Sequence, residues 1–137
     1  MSELAQYIDK PANNEEILAA MQEHIVRDIK GEVDDEEITF FFNDCMVLFD
    51  HYQDCCENVF IEDINGDWSD LIGTMLVVAS ERTSEEPESD AEIIEEDLWT
   101  FYTFRSLKGS VDVRWHGTCN GYYSMAVSIN VKPLPTE

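Results

Sequence analysis

Ile38-Thr39-Phe40-Phe41-Phe42 and Met46-Val47-Leu48-Phe49-Asp50-His51-Tyr52, with Asn43-Asp44 between them, are the stretch that decides the fold. Both runs are rich in β-branched and aromatic residues, which suit a pleated and half-buried surface, and Asn-Asp is turn chemistry. The stretch therefore predicts a β-hairpin. Downstream, Val59 and Ile61 alternate with Phe60 and Glu62, giving a third strand that closes at the turn dipeptide Asn65-Gly66. Trp68 to Leu71 reads as a loop, and the apolar run Met75 to Ala79 as a strand buried on both faces. Residues 81–97 carry nine acids against Arg82, with Pro87 among them, and predict an acidic loop. Leu98–Leu107, Ser110–Trp115 and Tyr122–Val131 then form a meander joined at Lys108-Gly109 and Asn120-Gly121. Lys132 to Glu137 is a Pro-punctuated tail.

Upstream of the hairpin the periodicity changes. Ile17, Met21, Ile25 and Ile29 recur every four residues, Leu18 and Val26 widen the stripe, Asn13 and Glu16 resemble a capping box, and Gly31 offers a stop. A helix over residues 13–30 is predicted. The fold class is α+β: one antiparallel sheet of about six to seven strands (residues 38–80 and 98–131) with the N-terminal helix packed on it. At 137 residues, the chain reads as a single domain, 1–137.

Thirty Asp and Glu stand against eight Lys and Arg, a net charge of −22. Self-repulsion on that scale opposes compaction, so the acidity calls for a use or a salt-adapted host. A salt adaptation would coat the surface evenly. The charge is instead partitioned: residues 1–27 carry a net of −3, residues 28–97 a net of −21, and residues 98–137 a net of +2. A directed acidic surface fits this division better. The first residues lack a basic and apolar leader, and no apolar run approaches a membrane span, so a cytoplasmic protein with no membrane partner is expected. In that reducing compartment, Cys45, Cys55, Cys56 and Cys119 are read as thiols.

The motifs of common chemistries are missing. Asp63-Ile64-Asn65-Gly66-Asp67 places glycine fourth and Thr74 twelfth, against the sixth-position Gly and twelfth-position Glu of a calcium loop, so a β-turn is the better reading. His51, Cys55, His116 and Cys119 could be gathered from two hairpins as a weak zinc set, without standard spacing. A thiol of Cys55 or Cys56 beside His51 would be blunted by the surrounding acids, which raise thiol pKa. Phosphate loops, nucleophile elbows and metalloprotease helices are lacking. No catalytic residue and no cofactor are assigned, and a non-enzymatic protein is expected.

Two segments carry a resemblance. Gln53-Asp54-Cys55-Cys56-Glu57-Asn58-Val59-Phe60-Ile61-Glu62-Asp63-Ile64-Asn65-Gly66-Asp67 through Leu71-Ile72-Gly73 is the first. Trp99-Thr100-Phe101-Tyr102 through Lys108-Gly109-Ser110-Val111 to Arg114-Trp115 and Asn120-Gly121-Tyr122-Tyr123-Ser124 is the second. As a pair they resemble an uncharacterised family of small bacteriophage and bacterial proteins over roughly residues 38–131. The resemblance implies phage origin, supplies no activity, and does not make His116 or Cys119 metal ligands.

The expected function follows from charge and resemblance together. Carboxylates held at phosphate-like separations can compete for the Lys and Arg with which proteins grip nucleic acid. The chain is therefore expected to be a phage-encoded nucleic-acid mimic inhibiting a host defence complex, anti-CRISPR or anti-restriction, in the host cytoplasm. Its partner would be a basic nucleic-acid-binding protein or ribonucleoprotein, with no direct nucleic acid, and a homodimer is compatible with it. The candidate contacts are Asp34, Asp35, Glu36, Glu37, Asp63, Asp67, Asp70, Glu85, Glu86, Glu88, Asp90, Glu92, Glu95, Glu96 and Asp97. Two alternatives stand beside it. One is sequestration of a small nucleotide defence signal in a pocket of Trp99, Tyr102, Arg105, Arg114 and Trp115; the other is a metal- or thiol-dependent enzyme.

Overall fold

The computed structural model describes residues 4–8, 10, 12–51, 57–85, 96–119 and 125–135, with the backbone alone for residues 84, 85, 96, 97 and 119. Among these described residues one α-helix, α1 (Asn14–Met21), is followed by eight strands: β1 (Asp28–Lys30), β2 (Glu37–Phe41), β3 (Met46–Asp50), β4 (Asn58–Asn65), β5 (Val78–Glu85), β6 (Glu96–Arg105), β7 (Ser110–Cys119) and β8 (Ser128–Lys132). The class is α+β. The strands form two antiparallel sheets of four, ordered β1-β2-β3-β8 and β4-β7-β6-β5, not one sheet of six or seven.

The predicted hairpin is present, with Phe41 opposite Met46 and Ile38 opposite Phe49. Its inward rings explain why a single sheet was insufficient. Phe40 and Phe49 point away from solvent and meet rings of the other sheet: Phe40 lies 4.7 Å from Phe104 and Phe49 lies 5.1 Å from Tyr102, centroid to centroid. Two apolar faces are thus closed against each other, the layer solution for two half-buried sheets. Trp115, Tyr102, Phe40, Phe49 and Phe104 are the largest side chains sealed between them.

Four predicted elements are corrected. The helix ends at Met21 instead of running to residue 30: Gln22 is extended and Glu23 has a φ of 70°. Ile25 and Val26 then bridge to Met75 and Ile72, and Ile29 pairs with Phe40 in β1. Val26 and Ile29 are buried there while Ile25 is 49% exposed, so only part of the stripe still supplies the core on a chain that has left the helix. β-branched residues have little intrinsic hold on helix, and sheet pairing outweighs it. The start was legible, since the Asn13 side chain accepts from the Glu16 amide at 2.8 Å.

The run Met75 to Ala79 is not buried on both faces. Leu76 and Ala79 are buried while Met75 and Val77 are 41% and 39% exposed, because β5 is the edge of its sheet and this segment leads into it. Residues 81–85 are strand, not loop: Glu81 faces Tyr102 and Arg82 faces Phe101. Glu86, Glu88, Asp90, Glu92 and Glu95 lie outside the described residues. The meander is also divided, with β6 and β7 paired in the second sheet and β8 crossing to pair with β3, Met46 opposite Lys132.

Polar joints tie the helix to both sheets. The Asn14 side chain donates to the Glu81 carboxylate at 2.8 Å and to the Val127 carbonyl at 2.9 Å, and its oxygen accepts from the Ile129 amide. Tyr102 donates its hydroxyl to the same Glu81, and burial followed by that carboxylate drives the phenol pKa far up. α1 therefore closes the gap between β5 and β8. Among the described residues, no helix is long and apolar enough to cross a membrane.

Candidate functional site

The acidic linker is held against the edge strand β4 by main-chain bonds. The Asp34 amide donates to the Ile61 carbonyl at 2.8 Å, and the Ile61 amide donates to the Asp35 carbonyl at 2.9 Å. Asp34 adopts a φ of 77°, a conformation that Asp tolerates better than most residues, and the Glu32 amide is capped by the Asp35 carboxylate at 3.0 Å. The Trp68 indole donates to the Gly31 carbonyl at 3.0 Å, which fixes the 3₁₀ turn Trp68–Asp70 beside the same linker. These ties bring Asp34, Asp35, Glu36 and Glu37 to one exposed edge with Asp63 and Asp67. Asp67 also caps its turn, and the Ser69 amide holds its carboxyl below the usual range.

Asp70 does not join that band. It is half-buried, its carbonyl accepts from the Ser106 hydroxyl, and its carboxylate lies where a side chain on Gly109 would have to sit. Its role is to pack the turn on the β6–β7 connection. For Glu85, Glu96 and Asp97 only the backbone is described, within β5 and β6.

At the inner end of β4 is a cleft of about 200 Å³ lined by Glu36, His51, Glu57, Asn58 and Val59. Glu57 is 3% exposed. His51 Nδ1 lies 2.7 Å from the Ala126 carbonyl, which can only accept, so this nitrogen carries a proton. His51 Nε2 sits 3.1 Å from the Glu57 carboxylate, in ion-pair contact but off hydrogen-bond alignment. Both ring nitrogens are engaged, which leaves His51 poorly placed as a free base for a thiol. Cys55 and Cys56 lie outside the described residues.

The two histidines of the weak zinc set are not brought together. Glu57 shares the inward phase of Val59 and Ile61, so His51 approaches β4 from the core side. His116 is opposite Phe60 on the outer face, where its Nδ1 lies 3.1 Å from Glu62 and its ring stacks on Trp99 at 4.8 Å. The two histidines are on opposite faces of one sheet. Among the described residues, no group of three or more potential ligands comes together. Cys45 is a free thiol of the core, pushed up to about 12 by burial and then by Asp44. At pH 8 it is expected to stay unmodified by a thiol-reactive reagent in the folded protein and to react once denaturant is added; labelling followed by intact mass spectrometry checks this.

The aromatic pocket is also divided. Trp99 and Arg114 are on the outer face of the second sheet, Tyr102 and Trp115 are 1% and 0% exposed in the core, and Arg105 is exposed at the end of β6. The Trp115 indole nitrogen has no hydrogen-bond partner in that core. On the outer face, a bulge between Ile61 and Asp63 turns Glu62 toward Arg114 and His116, with its carboxylate 2.6 Å from Arg114 Nε. Residues that sequence reasoning missed are Glu57, Glu62, Phe60, Phe101 and Arg82. Glu57 alone had a signal, its phase with Val59 and Ile61.

No curated protein and no solved structure matches the chain. Residues 16–129, well over half of its length, match the family model described as "Domain of unknown function (DUF7448)", and the protein belongs to that family.

Proposed function

We propose that this protein is a non-catalytic acidic module that occupies the basic nucleic-acid-binding surface of a partner protein or ribonucleoprotein. The observation that supports this reading is the exposed acidic edge. Asp34, Asp35 and Glu36 are carried on a linker bonded at both Asp34 and Asp35 to β4, while Glu37 begins β2, Asp63 belongs to β4 and Asp67 caps the turn after it, so the carboxylates are held on a pre-ordered scaffold. A preordered array loses less entropy on binding than a flexible acidic tail. Lys and Arg that normally release counterions from phosphate would do the same with this edge, and the net charge of −22 would steer a basic partner toward it. A phage-borne protein of this kind would act on a host defence complex, a CRISPR effector or a restriction enzyme, in the host cytoplasm.

The test is displacement of labelled duplex DNA from a purified effector of that class, followed by anisotropy at several salt concentrations. The native protein is expected to displace DNA, less effectively as salt rises. The variant Asp34→Asn, Asp35→Asn, Glu36→Gln, Glu37→Gln, Asp63→Asn should compete roughly a hundredfold less well, since each exposed pair is worth up to about 1 kcal/mol. Glu15→Gln with Glu16→Gln on α1, which removes two charges away from this edge, serves as the control and should change little. If the five-residue variant competes as well as the native protein, this edge is not the contact.

A further inference from the structure

An antiparallel sheet with one face in solvent ordinarily carries polar side chains outward. The outer face of β4-β7-β6-β5 departs from this. Phe60, His116 and Trp99 stand in one cross-strand row, Phe60 opposite His116 and His116 opposite Trp99. In the adjacent row Phe101 lies between two guanidinium side chains, opposite Arg82 on one side and Arg114 on the other. All three carbon-ring aromatics are partly exposed, Arg82 is exposed, and the Arg114 side chain is 42% exposed. Each row therefore has its own chemistry, rings in one and cations around a ring in the other.

The geometry of the rows is fixed from within. Trp99 and His116 are stacked with 6° between their planes, Phe60 meets His116 edge-on, and the Arg82 guanidinium lies over Phe101 at 4.3 Å. Glu62, aimed outward by the β4 bulge, touches both Arg114 and His116 and so ties the cationic row to the aromatic row. The rows are two residues apart along the strands, roughly 7 Å, comparable to the separation of a nucleobase from its own phosphate.

We infer that this outer face is a binding site for a free nucleotide, with the base stacked on the Trp99 row and the phosphate held between Arg82 and Arg114. The pairing of rings with guanidinium groups selects this occupant. Arg82, Arg105 and Arg114 project from this one face, against Glu62, Asp63 and Asp112, so the face is close to neutral in a chain whose net charge is −22. A mononucleotide brings one ring and a small charge, which matches a face of that balance. A long single strand brings one charge per nucleotide and must cross the field of the rest of the molecule, which disfavours it. Aromatic stacking does not distinguish strongly among bases, so purine mononucleotides, with the larger rings, bind best.

Isothermal titration at low salt with adenosine monophosphate and guanosine monophosphate tests the site, with adenosine, inorganic phosphate and an oligothymidylate as separate arms. The mononucleotides are expected to bind with Kd below about 1 mM, and adenosine and phosphate at least about tenfold more weakly. Trp99→Ala should weaken the mononucleotides about tenfold, whereas Trp99→Phe, which keeps a ring, should stay within about threefold. Arg82→Ala, a change at an exposed side chain, should remove most of the advantage of adenosine monophosphate over adenosine. Melting temperature and circular dichroism establish that each variant is folded. Absence of saturable heat with either mononucleotide, or native affinity in folded Trp99→Ala, overturns the site. Tighter binding of the oligothymidylate than of the mononucleotides overturns the free nucleotide as its occupant.

Discussion

Phe40→Ala is expected to destabilise the protein by about 3–5 kcal/mol, the largest single-residue loss in the core. Phe40 is 0% exposed and is the one ring that contacts Phe49 of its own sheet, Phe104 of the opposite sheet and Trp68 of the 3₁₀ turn, at 5.6, 4.7 and 5.8 Å. Removing it takes away buried area and leaves a cavity between two sheets whose backbones are held apart by their own hydrogen bonds, so collapse is limited. Trp68 in turn anchors the acidic linker through Gly31, and loss of its packing partner loosens the edge proposed to meet a partner. A fall in melting temperature of roughly 10–15 °C is expected for a domain of this size. Phe40→Leu should recover more than half of it. A thermal scan showing a loss of only a degree or two would mean that the sheets do not close on Phe40.

His51→Ala is expected to cost about 3 kcal/mol, through a different cause. The side chains of His51 and Glu57 are 5% and 1% exposed, so the pair is screened from water. Taking away the imidazole removes the 2.7 Å bond to the Ala126 carbonyl and the 3.1 Å contact with the Glu57 carboxylate. A buried carboxylate that loses a partner is costly, whereas a buried pair replaced together by apolar groups of similar size is often neutral. The double variant His51→Leu, Glu57→Leu should therefore lose much less than the two single losses added. Denaturant titration of the four proteins gives the coupling directly, and additive losses would mean that the two side chains do not act as a pair. Asp50, the neighbouring carboxyl, is raised mainly by burial, opposed by His51 and Lys132. A carboxyl raised in the folded state contributes less stability above its folded pKa than below it, so removing His51 should make the variant's deficit grow as pH rises through that range.

Period-2 alternation was readable throughout and told more than the aromatic pocket used. Trp99 and Tyr102 are three residues apart in one strand, and Arg114 and Trp115 are adjacent, so each pair must point to opposite faces. One set lines the core and the other lines the outer platform. The acidic linker was legible as charge, but its attachment to β4 was not, because that attachment is made by main-chain groups of Asp34, Asp35 and Ile61, which carry no side-chain signature. Glu62 was hidden for a related reason: a bulge, which shifts register by one residue, decides where it points.

The sequence by itself determined the β2–β3 hairpin, the Asn13 cap, the alternation of faces within each strand and the partition of charge, since all of these depend on neighbours a few residues apart. Only the tertiary structure decided that eight strands divide into two sheets, that residues 22–30 leave the helix, and that β8 returns to β3. Those outcomes depend on which apolar face meets which, and pairings such as Met46 with Lys132 join residues far apart in the chain. Alternation specifies that a face is apolar without naming the face it will cover, so the closure of Phe40 on Phe104 belongs to packing alone.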